Sequence, residues 1–179
     1  MKSLKCSPET LEILESGVRY LVDVHRGQKT GFFLDQRENR ALARRLAAGR
    51  NVLDCFSYTG GFAVAAASGG AQRVRALETS GPALELARAA AAAAGAAGER
   101  IDLRRADVFD ALQPAEADDR PSLIILDPPP FARHRGDRDR ATRAYRDLNR
   151  RAPRALAPGG RVLGVRCSPP GTRGRFGAL

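Results

Sequence analysis

Tryptophan is absent from the sequence, aromatic residues make up only 6%, histidine occurs twice and cysteine three times. Cys6, Cys55 and Cys167 are far apart, odd in number and without paired spacing, which argues against a disulfide framework and against a zinc site. His25 and His134 are too few for a histidine-based metal centre. No apolar run reaches the length that spans a bilayer, and Met1-Lys2-Ser3-Leu4-Lys5 lacks the apolar core of a signal peptide. The expectation is a soluble, cytoplasmic protein without a metal. Its 179 residues suffice for one domain with a real core, and 43% hydrophobic with 28% charged residues is a globular composition.

Negative charge is scarce in one region. Residues 1–130 carry 17 basic and 17 acidic side chains, whereas residues 131–179 carry 13 basic and 3 acidic. The whole net charge of +10 therefore sits in the last quarter. A one-sided basic block is the footprint of a polyanion partner such as nucleic acid. An Arg-, Ala- and Gly-rich composition is the alternative origin of the same excess.

Two alternating segments, 11–14 and 18–24, flank Ser16-Gly17 and predict a β-hairpin. Gly27-Gln28-Lys29-Thr30-Gly31 reads as a loop, and a helix begins at or just after Asp35 and stops near Gly49. Beyond Asn51 strands and helices alternate. Strands are predicted at 52–55, 74–77, 101–105, 123–126 and 161–165. The helices between them run from Gly61 through Ala67, from the Ser80 cap to about Ala94, from Asp107 to Leu112, and over 137–156 with an interruption at Pro153. The Ala-rich stretch 89–97 is taken as the tail of its helix. Such alternation gives an α/β fold with a mostly parallel sheet. The expected organisation is a hairpin and connecting segment over 1–35, a core over 36–168 and an irregular tail over 169–179.

Each of the first four core strands ends in, or leads straight into, a carboxylate: Asp54, Glu78, Asp107 and Asp127. Ligands of open parallel sheets sit beyond the carboxyl ends of the strands, so these four would form a polar rim there. A single acid in such a place is commonly a helix cap. Glu78 lies where nucleotide-binding sheets hold two ribose hydroxyls. The first turn, Asp54-Cys55-Phe56-Ser57-Tyr58-Thr59-Gly60-Gly61, is neither GxGxxG nor a phosphate-cradling Gly-Lys-Ser/Thr loop. An acid in this turn repels a pyrophosphate and suits an amine beside a sulfonium, which points to S-adenosylmethionine.

Val52-Leu53-Asp54-Cys55-Phe56-Ser57-Tyr58-Thr59-Gly60-Gly61-Phe62 resembles motif I of class I methyltransferases. More narrowly it resembles that of the bacterial 23S ribosomal RNA cytosine-5 methyltransferases, with Phe56 and Tyr58 where the wider superfamily has glycines. Residues 27–37, Asp127-Pro128-Pro129-Pro130-Phe131, Tyr145-Arg146-Asp147-Leu148-Asn149 and Pro158-Gly159-Gly160 are similar to further segments of that family. The resemblance covers about residues 11–168. It implies a Rossmann-like core and a cofactor turn comprising Asp54, Phe56, Tyr58, Gly60 and Gly61. It further implies Glu78 on the ribose, Asp107 and Val108 at the adenine, Asp127 at the cofactor and target base, and Gln28 and Lys29 closing over cofactor or RNA. The family's small N-terminal RNA-binding domain and the last two strands of its seven-stranded sheet have no counterpart in the sequence.

The resemblance also implies a nucleophile. Val165-Arg166-Cys167-Ser168 is similar to the family's Ser-Cys-Ser motif, with Arg166 in place of the first Ser. Carbon 5 of cytosine becomes nucleophilic only after a thiolate adds to carbon 6, the role implied for Cys167, with Asp127 orienting the ring. Cys55 is expected to be packing. Asp-Pro-Pro-aromatic motifs also serve N-methylation of exocyclic amines, so a guanine or adenine N-methyltransferase for ribosomal RNA is the alternative enzyme. A non-catalytic RNA-binding remnant and a small-molecule methyltransferase are the remaining readings. The arginines between Arg133 and Arg154 follow the Asp127 motif and are expected near the catalytic edge, where RNA phosphates pass, with some of them forming only a solvated helix face.

Overall fold

The computed structural model describes residues 10–25, 32–113, 119–132 and 137–165. Strands β1 (Thr10–Glu15) and β2 (Val18–Asp23) form an antiparallel hairpin with Glu15 opposite Val18. Its turn residues Ser16 and Gly17 have φ of 52° and 78°, the left-handed pair that two-residue hairpins use. A single 3-10 turn at Leu34–Gln36 leads into α1 (Arg37–Ala47). Then follow β3 (Asn51–Cys55), α2 (Gly61–Ser68), β4 (Arg73–Glu78), α3 (Gly81–Ala93), β5 (Ile101–Arg105), α4 (Val108–Ala111), β6 (Leu123–Leu126), α5 (Arg138–Ala155) and β7 (Arg161–Gly164).

The five core strands lie in the order β5-β4-β3-β6-β7 and every pairing is parallel. The chain winds outward from β3 through β4 to β5, then returns to the other side of β3 as β6. The order therefore reverses between β3 and β6, and a crevice opens at the carboxyl ends of those two strands.

Alternation along the strands divides the core. Val52, Val74, Ala76, Leu123 and Ile125 face Ala43 and Ala47 of α1 and Phe62, Ala63, Ala66 and Ala67 of α2. Leu53, Cys55, Leu77, Ile124 and Leu126 face Val108 of α4 and Leu148, Ala152 and Ala155 of α5. Small residues let α1 and α2 approach closely: a Cβ on Gly69 would lie 2.1 Å from the Arg44 carbonyl oxygen. The hairpin covers the outer side of this layer, with Val18, Tyr20 and Val22 against Phe32, Val64 and Ala90. Burial pushes the Tyr20 phenol up to about 12. No helix among the described residues is long and apolar enough to cross a membrane.

Two local expectations differ from the structure. Pro153 does not interrupt α5, which continues through it to Ala155. The proline sits in the last turn and is exposed, so the one amide bond it removes, to the carbonyl of the equally exposed Asn149, is lost where water can replace it. The Ala-rich stretch leaves the α-helix at Ala93 and becomes a 3-10 turn over Gly95–Arg100, begun by Gly95 at φ 61°. The readings at 1–9, 26–31, 133–136 and 166–179, and with them Gln28, Lys29, Arg133, Arg135 and Cys167, lie outside the described residues.

Candidate functional site

The carboxyl edge gathers Asp54, Glu78, Asp107 and Asp127, but not as an even rim. Asp54 is fully buried. It falls one residue before the end of β3, and alternation turns it toward α2 rather than outward. Among the described residues no donor lies within ordinary hydrogen-bond geometry of either carboxylate oxygen, and the Ser57 hydroxyl, three residues on, is likewise buried and unpartnered. Burial first, then the charge of Asp127 and, more weakly, that of Glu78, push the Asp54 carboxyl well above the usual range. The Ala63 amide in the first turn of α2 offsets this in part. A buried carboxyl without a partner is costly, and two further acids beside it raise that cost. A cation at the crevice mouth relieves all three.

Glu78 ends β4 and is held by backbone donors. Tyr58 N–H donates to Oε2 at 2.9 Å, and the Thr79 and Ser80 amides each donate to Oε1 at 2.8 Å. These bonds aim the carboxylate and tie it to the turn after β3. That turn is wound tightly: Phe56, Tyr58 and Gly60 have φ of 62°, 49° and 79°. Left-handed backbone costs an L-residue roughly 1–2 kcal/mol, so Phe56 and Tyr58 occupy conformations suited to glycine. Gly60 has a second constraint, since a Cβ there would come within 3.3 Å of Ala87 Cβ.

Asp107 is exposed and caps α4, with Oδ1 accepting from the Phe109 amide at 2.7 Å. Both readings of this acid thus meet in one residue, a cap standing at the carboxyl edge. Val108 is 2% exposed and its side chain is packed in the core. Asp127 is half-buried and follows β6 directly. Cys55 is fully buried, and burial with the Asp54 charge pushes its thiol up, as a packing cysteine requires. Val165 N–H donates to the Leu126 carbonyl at 2.9 Å, so the chain leaves β7 beside Asp127.

Three structural features near this edge were not legible in the sequence. Tyr145 of α5 clamps the proline loop: its hydroxyl donates to the Pro129 carbonyl at 3.1 Å and accepts from the Phe131 amide at 3.4 Å. Phe131 then packs on Tyr145, Phe109 and Phe56, with ring centres 4.8, 6.1 and 6.2 Å away. The aromatic in the proline motif and the family-like segment beginning at Tyr145 were the available signals, but neither joined the two. Ser57 had none. The third is the buried Arg40, whose partners lie far off in sequence.

The arginines of α5 also depart from expectation. Arg140, Arg143, Arg146, Arg150 and Arg154 are exposed, on the face opposite Ala141, Leu148 and Ala152. The helix starts beside the carboxyl edge and descends about 27 Å to the amino edge, where the Ala157 amide meets the Pro121 carbonyl. Only its first turns border the crevice. Arg150 and Arg151 pair with Asp147, and hold its carboxyl below the usual range.

Comparison with known proteins agrees with this geometry. The model of a family described as S-adenosylmethionine-dependent methyltransferase matches residues 3–173. "Ribosomal RNA large subunit methyltransferase I" of Erwinia tasmaniensis is 42% identical over 162 residues, covering 90% of this chain and 41% of that protein. The same-named protein of Serratia proteamaculans matches equally. The chain thus spans about two-fifths of the length of these relatives. Among solved structures, a methyltransferase complexed with SAH is 34% identical, with a TM-score of 0.73 over 89% of this chain and 42% of that one. A SAM-dependent methyltransferase from Agrobacterium tumefaciens, 22% identical with a TM-score of 0.71 over 88% of this chain and 52% of the other, shares the fold.

Proposed function

Because the chain belongs to the S-adenosylmethionine-dependent methyltransferase family, we propose that it serves methylation of large-subunit ribosomal RNA, forming 5-methylcytosine in 23S RNA through Cys167. The observation that carries the cofactor part is the buried, unpartnered Asp54 carboxyl at the switch point of the sheet, beside Asp127 and Glu78. The RNA part is supported by the names of the relatives and by the exposed arginine face of α5.

S-adenosylmethionine supplies an ammonium, a methyl group on a sulfonium and two ribose hydroxyls when bound. Asp54 and the first turn of α2 form the floor beneath the charged end. Glu78 Oε1 already accepts from the Thr79 and Ser80 amides and, at 3.3 Å, from the Thr79 hydroxyl, whereas Oε2 accepts the Tyr58 amide and has a second lone pair to turn to the ribose. Asp107 and the Val108 backbone would border the adenine, Gln28 and Lys29 would close over the cofactor or RNA, and Asp127 would orient a flipped-out cytosine by its N3–N4 edge. The Cys167 thiolate would add to carbon 6, and carbon 5 of the resulting enamine would take the methyl group as its bond to the sulfonium sulfur breaks and leaves a neutral thioether. A base then removes the carbon-5 proton as the bond to the Cys167 sulfur breaks, which restores the ring and the thiolate.

The test is a calorimetric titration of the purified chain with S-adenosylmethionine, repeated with Glu78→Ala. Loss of the ribose acceptor and release of the turn should weaken binding roughly 100-fold or more, about 3 kcal/mol at 1.5–3 kcal/mol per charged hydrogen bond. Binding untouched by the substitution would sink the assignment. RNA methylation assayed with Cys167→Ser separates the chemistries: a carbon-5 transfer is abolished, whereas an N-methylation survives.

A further inference from the structure

The feature outside the cofactor crevice that reaches furthest into it is Arg40. Its side chain is 3% exposed and lies in α1, between the hairpin and the start of α2. A guanidinium so deeply buried costs several kcal/mol unless its donors are met. Here three are. Nε and Nη2 bind the two oxygens of Glu15 at 2.7 and 2.6 Å, and Nη1 donates to the Phe33 carbonyl at 2.8 Å. The cation also lies 4.0 Å from the centre of the Phe32 ring and 5.9 Å from that of Tyr20. Glu15 closes β1, so one side chain joins the hairpin, α1 and the segment between them.

That segment touches the cofactor turn at both ends. The Phe33 ring meets Tyr58 edge-on with centres 5.7 Å apart. At the other end, a Cβ on Gly61 would lie 3.5 Å from Phe32 Cε2 and 3.6 Å from Arg40 Cδ. Tyr58 is the residue with left-handed φ whose amide holds Glu78. Left-handed backbone at a bulky residue persists only where neighbours over-determine it. Apolar replacement of a buried pair is often neutral for stability, so a bidentate pair in this place is better explained by the geometry it imposes.

We propose that Arg40, locked by Glu15, is a positioning residue for the turn at residues 56–61, which rests, for its effect on binding, on the cofactor reading above. The hairpin is then a working part of the cofactor site. The experiment measures amide exchange of Ser57, Tyr58 and Gly60 by NMR in the whole chain without ligand, together with calorimetric S-adenosylmethionine affinity. The variants are Arg40→Met, Arg40→Lys, Glu15→Gln and, as a control for simple loosening of the hairpin, Val22→Ala.

Arg40→Met should speed Tyr58 exchange and weaken binding, each roughly tenfold. Arg40→Lys should restore part of both, because an ammonium reaches Glu15 without the fork that also holds Phe33. Glu15→Gln should act in the same direction more weakly, and stands in if Arg40→Met does not fold. Val22→Ala should lower the melting temperature while leaving both readouts within about twofold. Unchanged Tyr58 exchange in the Arg40 and Glu15 variants overturns the proposal, and so does equal acceleration by Val22→Ala. Faster Tyr58 exchange in a chain that binds no cofactor even as wild type upholds the positioning role and overturns the cofactor reading instead.

Discussion

The two ends of the same five strands treat charge in opposite ways. At the amino edge Arg73, Arg75, Asp102 and Asp119 answer one another, with Arg75 Nη1 3.0 Å from Asp119 and Arg73 Nη2 3.1 Å from Asp102. A cavity of about 130 Å3 opens there, lined by Asn51, Arg73, Arg75 and Asp119, yet its charges are already neutralised by their neighbours. At the carboxyl edge charge of one sign is concentrated, and its deepest member, Asp54, has no hydrogen-bond partner. A surface network satisfied from within contributes a little stability and asks for nothing. A buried acid left unsatisfied lowers stability until a partner meets it.

Asp54→Asn is the largest way to break that contrast. Its carboxyl is raised in the folded chain, so the folded state holds a proton that the unfolded state gives up near the ordinary value of 3.8. Stability of the free chain should therefore fall as pH rises from that value toward the raised one. The asparagine should abolish this fall and raise the melting temperature at neutral pH, at about 2–4 °C per kcal/mol for a domain of this size. It should weaken S-adenosylmethionine binding roughly tenfold. Calorimetry across pH checks both, and a stabilised variant that binds like wild type would separate the acid from the ligand.

Tyr145→Phe comes next. Removing the hydroxyl frees the Pro129 carbonyl and the Phe131 amide, at a cost of about 1 kcal/mol. The aromatic cluster stays, so cofactor affinity should hold while methyl transfer to RNA slows several-fold. The smallest effect is expected at the other edge. Asp119→Ala removes exposed pairs and should change stability by under about 1 kcal/mol, with no change in cofactor affinity. A loss of binding there would erase the distinction between the two edges.

What the sequence made legible was whatever neighbours in the chain decide. The Ser16-Gly17 reversal, the Ser80 cap and the strands at 101–105 and 123–126 follow from local pattern, and the structure has them. The carboxyl-edge acids were legible because a parallel sheet puts every strand end at one edge. The depth of Asp54 was not, since it depends on which face of β3 the helix α2 covers. Arg40 and Glu15 meet across 25 residues with no shared motif, and Tyr145 reaches back 16 residues to Pro129. Pro153 obeyed its position in the last turn rather than its general preference. The arginines were counted correctly but not oriented, because the descent of α5 from one edge to the other is a property of the crossover.

The reversal of strand order between β3 and β6 also has a kinetic side. The pairing that closes the crevice joins segments about 71 residues apart, as in the bond from Ser122 to Asn51, whereas β3 and β4 are joined through a single short helix. Distant pairings bear the larger loop-closure entropy and slow the folding of parallel sheets. The crevice is therefore the seam along which the chain is expected to close late and open early. A ligand bound across it would stabilise the folded state by mass action. In a cell, the supply of that ligand would then set how long each copy of the chain survives unfolding, apart from any methyl group it transfers.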